Sequence, residues 1–140
     1  MKKQIAAVLL LCLALGASAF AAKDALPMPG ILANARYVYV TAYDGDQFNP
    51  NLLPDDRAAI ARVQDAIQKR GKLALVYSPE GADMIIAVES RPSEDVLAVY
   101  DARAWSSQTY LWRVMGRGGL QKGETPLITQ FEQAFDKIAK

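Results

Sequence analysis

Asp44-Gly45-Asp46, with Asn49, Asn51 and Asp55 close behind, crowds hard oxygen side chains into one short stretch. Such ligands suit calcium, but the calcium-loop pattern asks for an oxygen-bearing residue at its fifth position and glycine at its sixth. Phe48 and Asn49 stand there instead. The stretch therefore reads as a turn running into a helix whose positive end favours carboxylates, and no metal site is expected. Gly116-Arg117-Gly118-Gly119, followed by Lys122 and Gly123, could offer backbone amides and two cations to a phosphate or carboxylate. Gly118 and Gly123 have the P-loop separation, yet Glu124 occupies the lysine position. These glycines are expected to turn the chain between a strand and a helix.

Glu94, Asp95 and Asp101, flanked by Arg91 and Arg103, bracket a single apolar strand. Paired carboxylates could do acid and base work on a glycan. Adjacent strand residues face opposite ways, however, and Asp101 lies a strand-length from the other two. Solvated strand ends with ion pairs to Arg91 and Arg103 are expected instead. No serine has a lysine three positions on, so the S-x-x-K pattern is also missing.

The aromatic residues point elsewhere. A period of two places Tyr37, Tyr39 and Tyr43 on one strand face and groups Tyr110 with Trp112. With helices covering one side of a sheet, these rows would line the other as a partly exposed aromatic surface for a protein, peptide or glycan. The competing expectation is that the rings pack beneath the helices as core. On the first reading Tyr37, Tyr39, Tyr110 and Trp112 supply apolar contact, and Arg113 and Arg117 supply polar anchoring.

Composition narrows the chemistry. The chain contains no histidine, which removes the usual general base near neutral pH and the Ser-His-Asp and Cys-His arrangements. Its single cysteine, Cys12, sits inside an amino-terminal apolar run. Disulfide, thiolate and cysteine-zinc chemistry are therefore not expected of the mature chain, nor is any cofactor. Leu9-Leu10-Leu11 before Cys12 is a poor lipidation context. Sixteen basic residues stand against 15 acidic ones, a formal charge of +1. Loss of Lys2 and Lys3 with the leader would make it slightly negative, which gives no electrostatic reason to bind nucleic acid or an anionic membrane.

Lys2 and Lys3, the apolar run Ile5–Leu15 and the small residues Ala17-Ser18-Ala19-Phe20-Ala21 form a secretory signal peptide pattern. Cleavage is expected after Ala21, with Ala19 as the alternative. The run is too short to span a bilayer, so no membrane span is expected after its removal. The expected location is the periplasm or the medium.

The rest is organised as an extended leader over 22–35 and a single domain over 36–140. Tyr37 to Tyr43 is strand-like, and a punctuated helix follows. Pro54, Asp55 and Asp56 open it, Ile60, Val63 and Ile67 make its apolar stripe, and Lys69, Arg70 and Gly71 close it. Strands are expected over Leu73–Tyr77, Asp83–Glu89, Val96–Tyr100 and Thr109–Met115. The run Met84-Ile85-Ile86-Ala87-Val88 predicts a central strand covered on both faces. Thr125 and Pro126 start a last helix with Leu127, Ile128, Phe131, Phe135 and Ile138 as its buried stripe. The order β-α-β-β-β-β-α predicts a right-handed parallel crossover and then an antiparallel meander. The expected fold is a two-layer α+β sandwich, with a mixed sheet of about five strands and both helices on one face.

The helix closed by Gly71, the short strand after it and Ala82-Asp83-Met84-Ile85-Ile86-Ala87-Val88 resemble small exported bacterial proteins of unknown function. The element order is similar to the small α+β domains of cell-envelope proteins of the TolB amino-terminal type. That resemblance implies an envelope interaction role and supplies no catalytic residues. The function expected is a non-enzymatic binding module with an envelope protein or glycan as partner. Two alternatives stand beside it: a histidine-free hydrolase of envelope glycans using Glu94, Asp95 and Asp101, and a carrier holding a small ligand in an apolar cavity.

Overall fold

The computed structural model describes residues 26–107, 109–121 and 125–140. The signal-peptide pattern with both candidate cleavage sites, Cys12, Lys122, Gly123 and Glu124 lie outside the described residues. The chain is a two-layer α+β sandwich. Strand β1 (Tyr37–Ala42) leads through helix α1 (Pro54–Arg70) to β2 (Ala74–Val76), and β3 (Met84–Ser90), β4 (Asp95–Asp101) and β5 (Trp112–Gly116) precede helix α2 (Pro126–Ile138). The sheet order is β2-β1-β3-β4-β5. Strand β1 runs parallel to both β2 and β3, while β3, β4 and β5 form the antiparallel meander.

Local chemistry sets the helix limits. Pro54 occupies the first turn of α1 with Asp55 and Asp56, whose charges complement the exposed N–H groups there. At the other end Gly71 takes a left-handed conformation (φ 70°) and its N–H returns to the Ile67 carbonyl, 3.2 Å away. A side chain is disfavoured in that conformation, so the helix stops there. Pro126 starts α2 after Thr125, whose side chain makes no capping hydrogen bond.

Both helices bury their stripes against the same sheet face. Ile60, Val63 and Ile67 of α1 and Leu127, Phe131 and Phe135 of α2 join Val38, Val40, Met84, Ile86, Val88, Leu97, Val99 and Trp112 in one core. Residues 22–35 were expected to be an extended leader. From Leu26 onward they fold onto the core instead, with a 3₁₀ turn at Gly30–Leu32 and Met28 and Leu32 buried. Their apolar side chains have core surface within reach, and burial outweighs the extended form. At the far edge of the helical layer, Arg70 pairs with Glu132 (2.9 Å) and Asp136, and Lys72 with Asp136 (2.8 Å), which clasps α1 to α2. Lys72 and then Arg70 hold the Asp136 carboxyl below the usual range.

The turn after β5 comes close to α2. A Cβ on Gly119 would lie 2.4 Å from Cγ and 2.8 Å from Cδ1 of the buried Leu127, whereas one on Gly116 would sit at an ordinary 3.6 Å. Gly119→Ala is expected to cost about 1–3 kcal/mol of stability in urea denaturation, and Gly116→Ala clearly less. Adding Leu127→Ala to Gly119→Ala should cost less than the two single changes combined, because the clash is shared.

Candidate interaction face

The sheet face away from the helices is built from rows set by strand register. Tyr39, Ile85 and Tyr100 form one row, Thr41, Ala87, Ala98 and Arg113 the next, and Glu89, Val96 and Met115 the third, with Tyr43 just beyond the end of β1. Ala87 and Ala98 give a low floor in the middle, and both are fully buried because larger neighbours lean over them. The segment Ala102–Ser107 turns in 3₁₀ fashion and is interrupted at Ala104 (φ −113°, ψ 21°), which brings Trp105 back over the face. Its ring meets Tyr100 edge-on at 4.8 Å between centroids. Tyr39, Ile85, Ala87, Ala98 and Tyr100, with Val76, Ala82, Ala102 and Trp105 against them, thus make a small second core.

The remaining part of this face is open. Tyr43 is 42% exposed, Met115 47% and Tyr110 44%. The Arg113 guanidinium lies 4.6 Å from the Tyr110 ring centroid, a cation–π contact, and makes no ion pair among the described residues. The Tyr43 and Tyr100 hydroxyls are 3.4 Å apart. Burial first, and then this contact, pushes the Tyr43 phenol well above its ordinary range, so it stays protonated. Tyr39 is also raised by burial, and its hydroxyl donates to Asp46 at 3.2 Å.

The sequence-predicted contact residues divide accordingly. Tyr37 and Tyr110 are exposed, as are Arg113 and Arg117. Tyr39 belongs to the open face but is only 7% exposed, beneath its neighbours. Trp112 does not belong there. Strand alternation puts Arg113 and Met115 on the open face, so Trp112 points to the helices, 2% exposed. Its ring packs at 6.2 Å from Phe131 and its indole N–H donates to the Leu26 carbonyl at 2.6 Å. Tyr110 precedes β5 and so escapes the strand period that would have paired it with Trp112. Met115, which shares its parity with Arg113, is an exposed residue of this face that the strand period also offers, and Tyr43 lies on the face where the tyrosine row placed it.

The other candidates are accounted for by internal contacts. Arg91 binds Asp56 (2.8 Å), Asp44 (3.1 Å) and Glu89 (3.4 Å), not Glu94 or Asp95 as expected, because the tight β3–β4 turn sends it toward the start of α1. Asp101 accepts from the Arg103 backbone N–H and guanidinium at 3.0–3.1 Å, and Arg103 holds its carboxyl below the usual range. Asp95 is fully buried at the opposite end of β4, where Ser90 Oγ and the Leu120 N–H each donate to it at 2.8 Å. The glycine-rich turn therefore directs an amide at the protein's own carboxylate. In the 44–55 stretch Asp46 caps the Phe48 N–H (2.9 Å) and Asn49 the Asn51 N–H (3.0 Å). Among the described residues no group of three His, Cys, Asp or Glu side chains is placed to hold a metal, and no helix is long and apolar enough to cross a membrane. Two surface grooves of about 340 and 290 Å³ carry charged walls, Arg36, Lys72 and Lys140 in one and Asp83, Asp101 and Arg103 in the other.

Neither a protein-family model nor a curated protein matches the chain. Two similar solved structures are PelC dodecamers from Paraburkholderia phytofirmans. One, a leucine-to-methionine variant, is 14% identical with a TM-score of 0.46, covering 84% of this chain and 96% of that one. The other is 12% identical with a TM-score of 0.44, covering 82% and 95%.

Proposed function

We propose that the chain is an exported, non-enzymatic binding module of the bacterial cell envelope, and that it meets its partner through the open half of the sheet face. The observation that carries this reading is the grouping of exposed Tyr43, Tyr110 and Met115 around Arg113, on the one sheet face that neither helix covers. Aromatic rings, methionine and arginine are the side chains enriched where proteins bind, and among the described residues Arg113 has no carboxylate partner. The carboxylates that glycan hydrolysis would need lie at opposite ends of β4, and Asp95 and Asp101 are held by internal donors. Export rests on the signal-peptide pattern of residues 1–21.

The test places a photo-crosslinking residue at Tyr43 or Tyr110, and as a control at the exposed Gln68 on α1, in cells exporting the full chain. A discrete adduct with one envelope component is expected from the face positions and none from Gln68. Equal capture at all three, or none at the face, would overturn the reading. Amino-terminal sequencing of the recovered protein should begin at Ala22, or at Phe20 for the alternative site, and an intact Met1 would remove export.

A further inference from the structure

The outer edge of β5 defines how such a partner binds, given that this face is a binding surface. The Arg91 N–H donates to the Glu94 carbonyl and the Ala102 N–H to the Asp83 carbonyl, both at 3.2 Å. These two bonds fix the parity of β4: Glu94, Val96, Ala98 and Tyr100 turn their backbone groups toward β3, and Asp95, Leu97 and Val99 turn theirs toward β5. Their partners Gly116, Val114 and Trp112 face back, which leaves the N–H and C=O groups of Arg113 and Met115 pointing outward. Those groups have no backbone partner among the described residues. By the same reasoning the opposite edge, the three-residue β2, turns only Leu75 outward, since the Ala74 N–H is bonded to Arg36.

Charge decides what fits the β5 edge. Arg113, and Arg117 just past the end of the strand, are both exposed and make no ion pair among the described residues. A second copy laid against β5 would bring like charges together on one short strand, an arrangement that discourages self-pairing. A chain bearing carboxylates at alternate positions meets no such repulsion and gains charge-assisted hydrogen bonds. We infer that β5 accepts an added strand from a partner protein, an extended acidic segment. Its main chain bonds to Arg113 and Met115, its alternate carboxylates lie on the open face with the two arginines, their stems beside Met115 and Tyr110, and its intervening side chains turn to the helix side.

The experiment titrates the exported protein with a capped peptide of alternating glutamate and valine, following backbone amide shifts and fluorescence anisotropy at low and high salt. Saturable, salt-sensitive binding is expected, with shifts centred on Arg113–Gly116. Exchanging glutamate for lysine, or N-methylating the alternate amides that face β5, should each weaken binding at least about tenfold. So should Arg113→Glu combined with Arg117→Glu. Met115→Pro removes an outward N–H at an edge position where proline is tolerated, and should do the same while its circular dichroism stays native. Met115→Ala, which keeps the N–H and gives up only the side-chain contact, should weaken binding clearly less than Met115→Pro. Undiminished binding of the N-methylated peptide, shifts centred on Tyr43, no saturation, or a peptide-free dimer formed through β5 would each overturn the strand addition. If crosslinking from Tyr43 survives such a failure, only this binding mode is lost; if it disappears as well, the binding reading falls too.

Discussion

Asp95→Ala is expected to lower the unfolding free energy by about 3–5 kcal/mol, measured by urea denaturation followed by circular dichroism. The Asp95 carboxylate is fully buried and carries two donors, Ser90 Oγ and the Leu120 N–H, each at 2.8 Å. Alanine leaves both without an acceptor in a place water does not reach, and hydrogen bonds to a charged group are among the costlier ones to lose. Asp95→Asn separates this account from a simple volume effect. The amide oxygen can still accept from Leu120, and the hydroxyl of Ser90 can rotate to accept from the new NH₂, so the loss should fall to about 1 kcal/mol. Equal losses for alanine and asparagine would mean that the charge, not the pairing, holds the β3–β4 turn to the glycine-rich turn. A loss below about 1 kcal/mol for alanine would remove the anchor altogether.

Trp112→Ala is expected to cost a further large amount, about 3–5 kcal/mol, whereas Tyr110→Ala should cost less than about 1 kcal/mol. The two residues look equivalent as aromatic candidates, but one is 2% exposed against Phe131 and the other 44% exposed beneath Arg113. Fluorescence gives a second check. With only two tryptophans in the chain, Trp105→Phe isolates Trp112, whose emission should be blue-shifted and shielded from acrylamide. Red-shifted, readily quenched emission from that variant would return Trp112 to the surface.

Periodic and punctuated elements were the legible ones. Pro54, the acid pair and Gly71 mark α1 to the residue, and the apolar run Met84–Val88 marks the strand at the centre of the sheet. Elements whose form depends on distant partners were harder to read. Trp112 takes the helix face because register with β4 settles which parity of β5 turns outward, and no local pattern around Tyr110 states that register. Residues 26–33 carry no period, yet they pack because the core offers Met28 and Leu32 a place. By sequence Asp95 reads as a solvated strand-end acid and Asp56 as one of the acids that open α1. Their burial follows from backbone donors at Leu120 and Ser90 that become neighbours only once the meander and α1 have closed.

The pairing of β1 with β3, which brings Val38 beside Met84, has a kinetic consequence. The β3–β4 hairpin can form from neighbouring segments, whereas β1 reaches β3 only across the α1 and β2 segments that separate them along the chain. Closing so wide a loop before any reward is collected slows assembly. A chain threaded through a membrane in an unfolded state would therefore emerge with its first strand unclaimed for a time, and the early-folding nucleus should lie in the carboxy-terminal half.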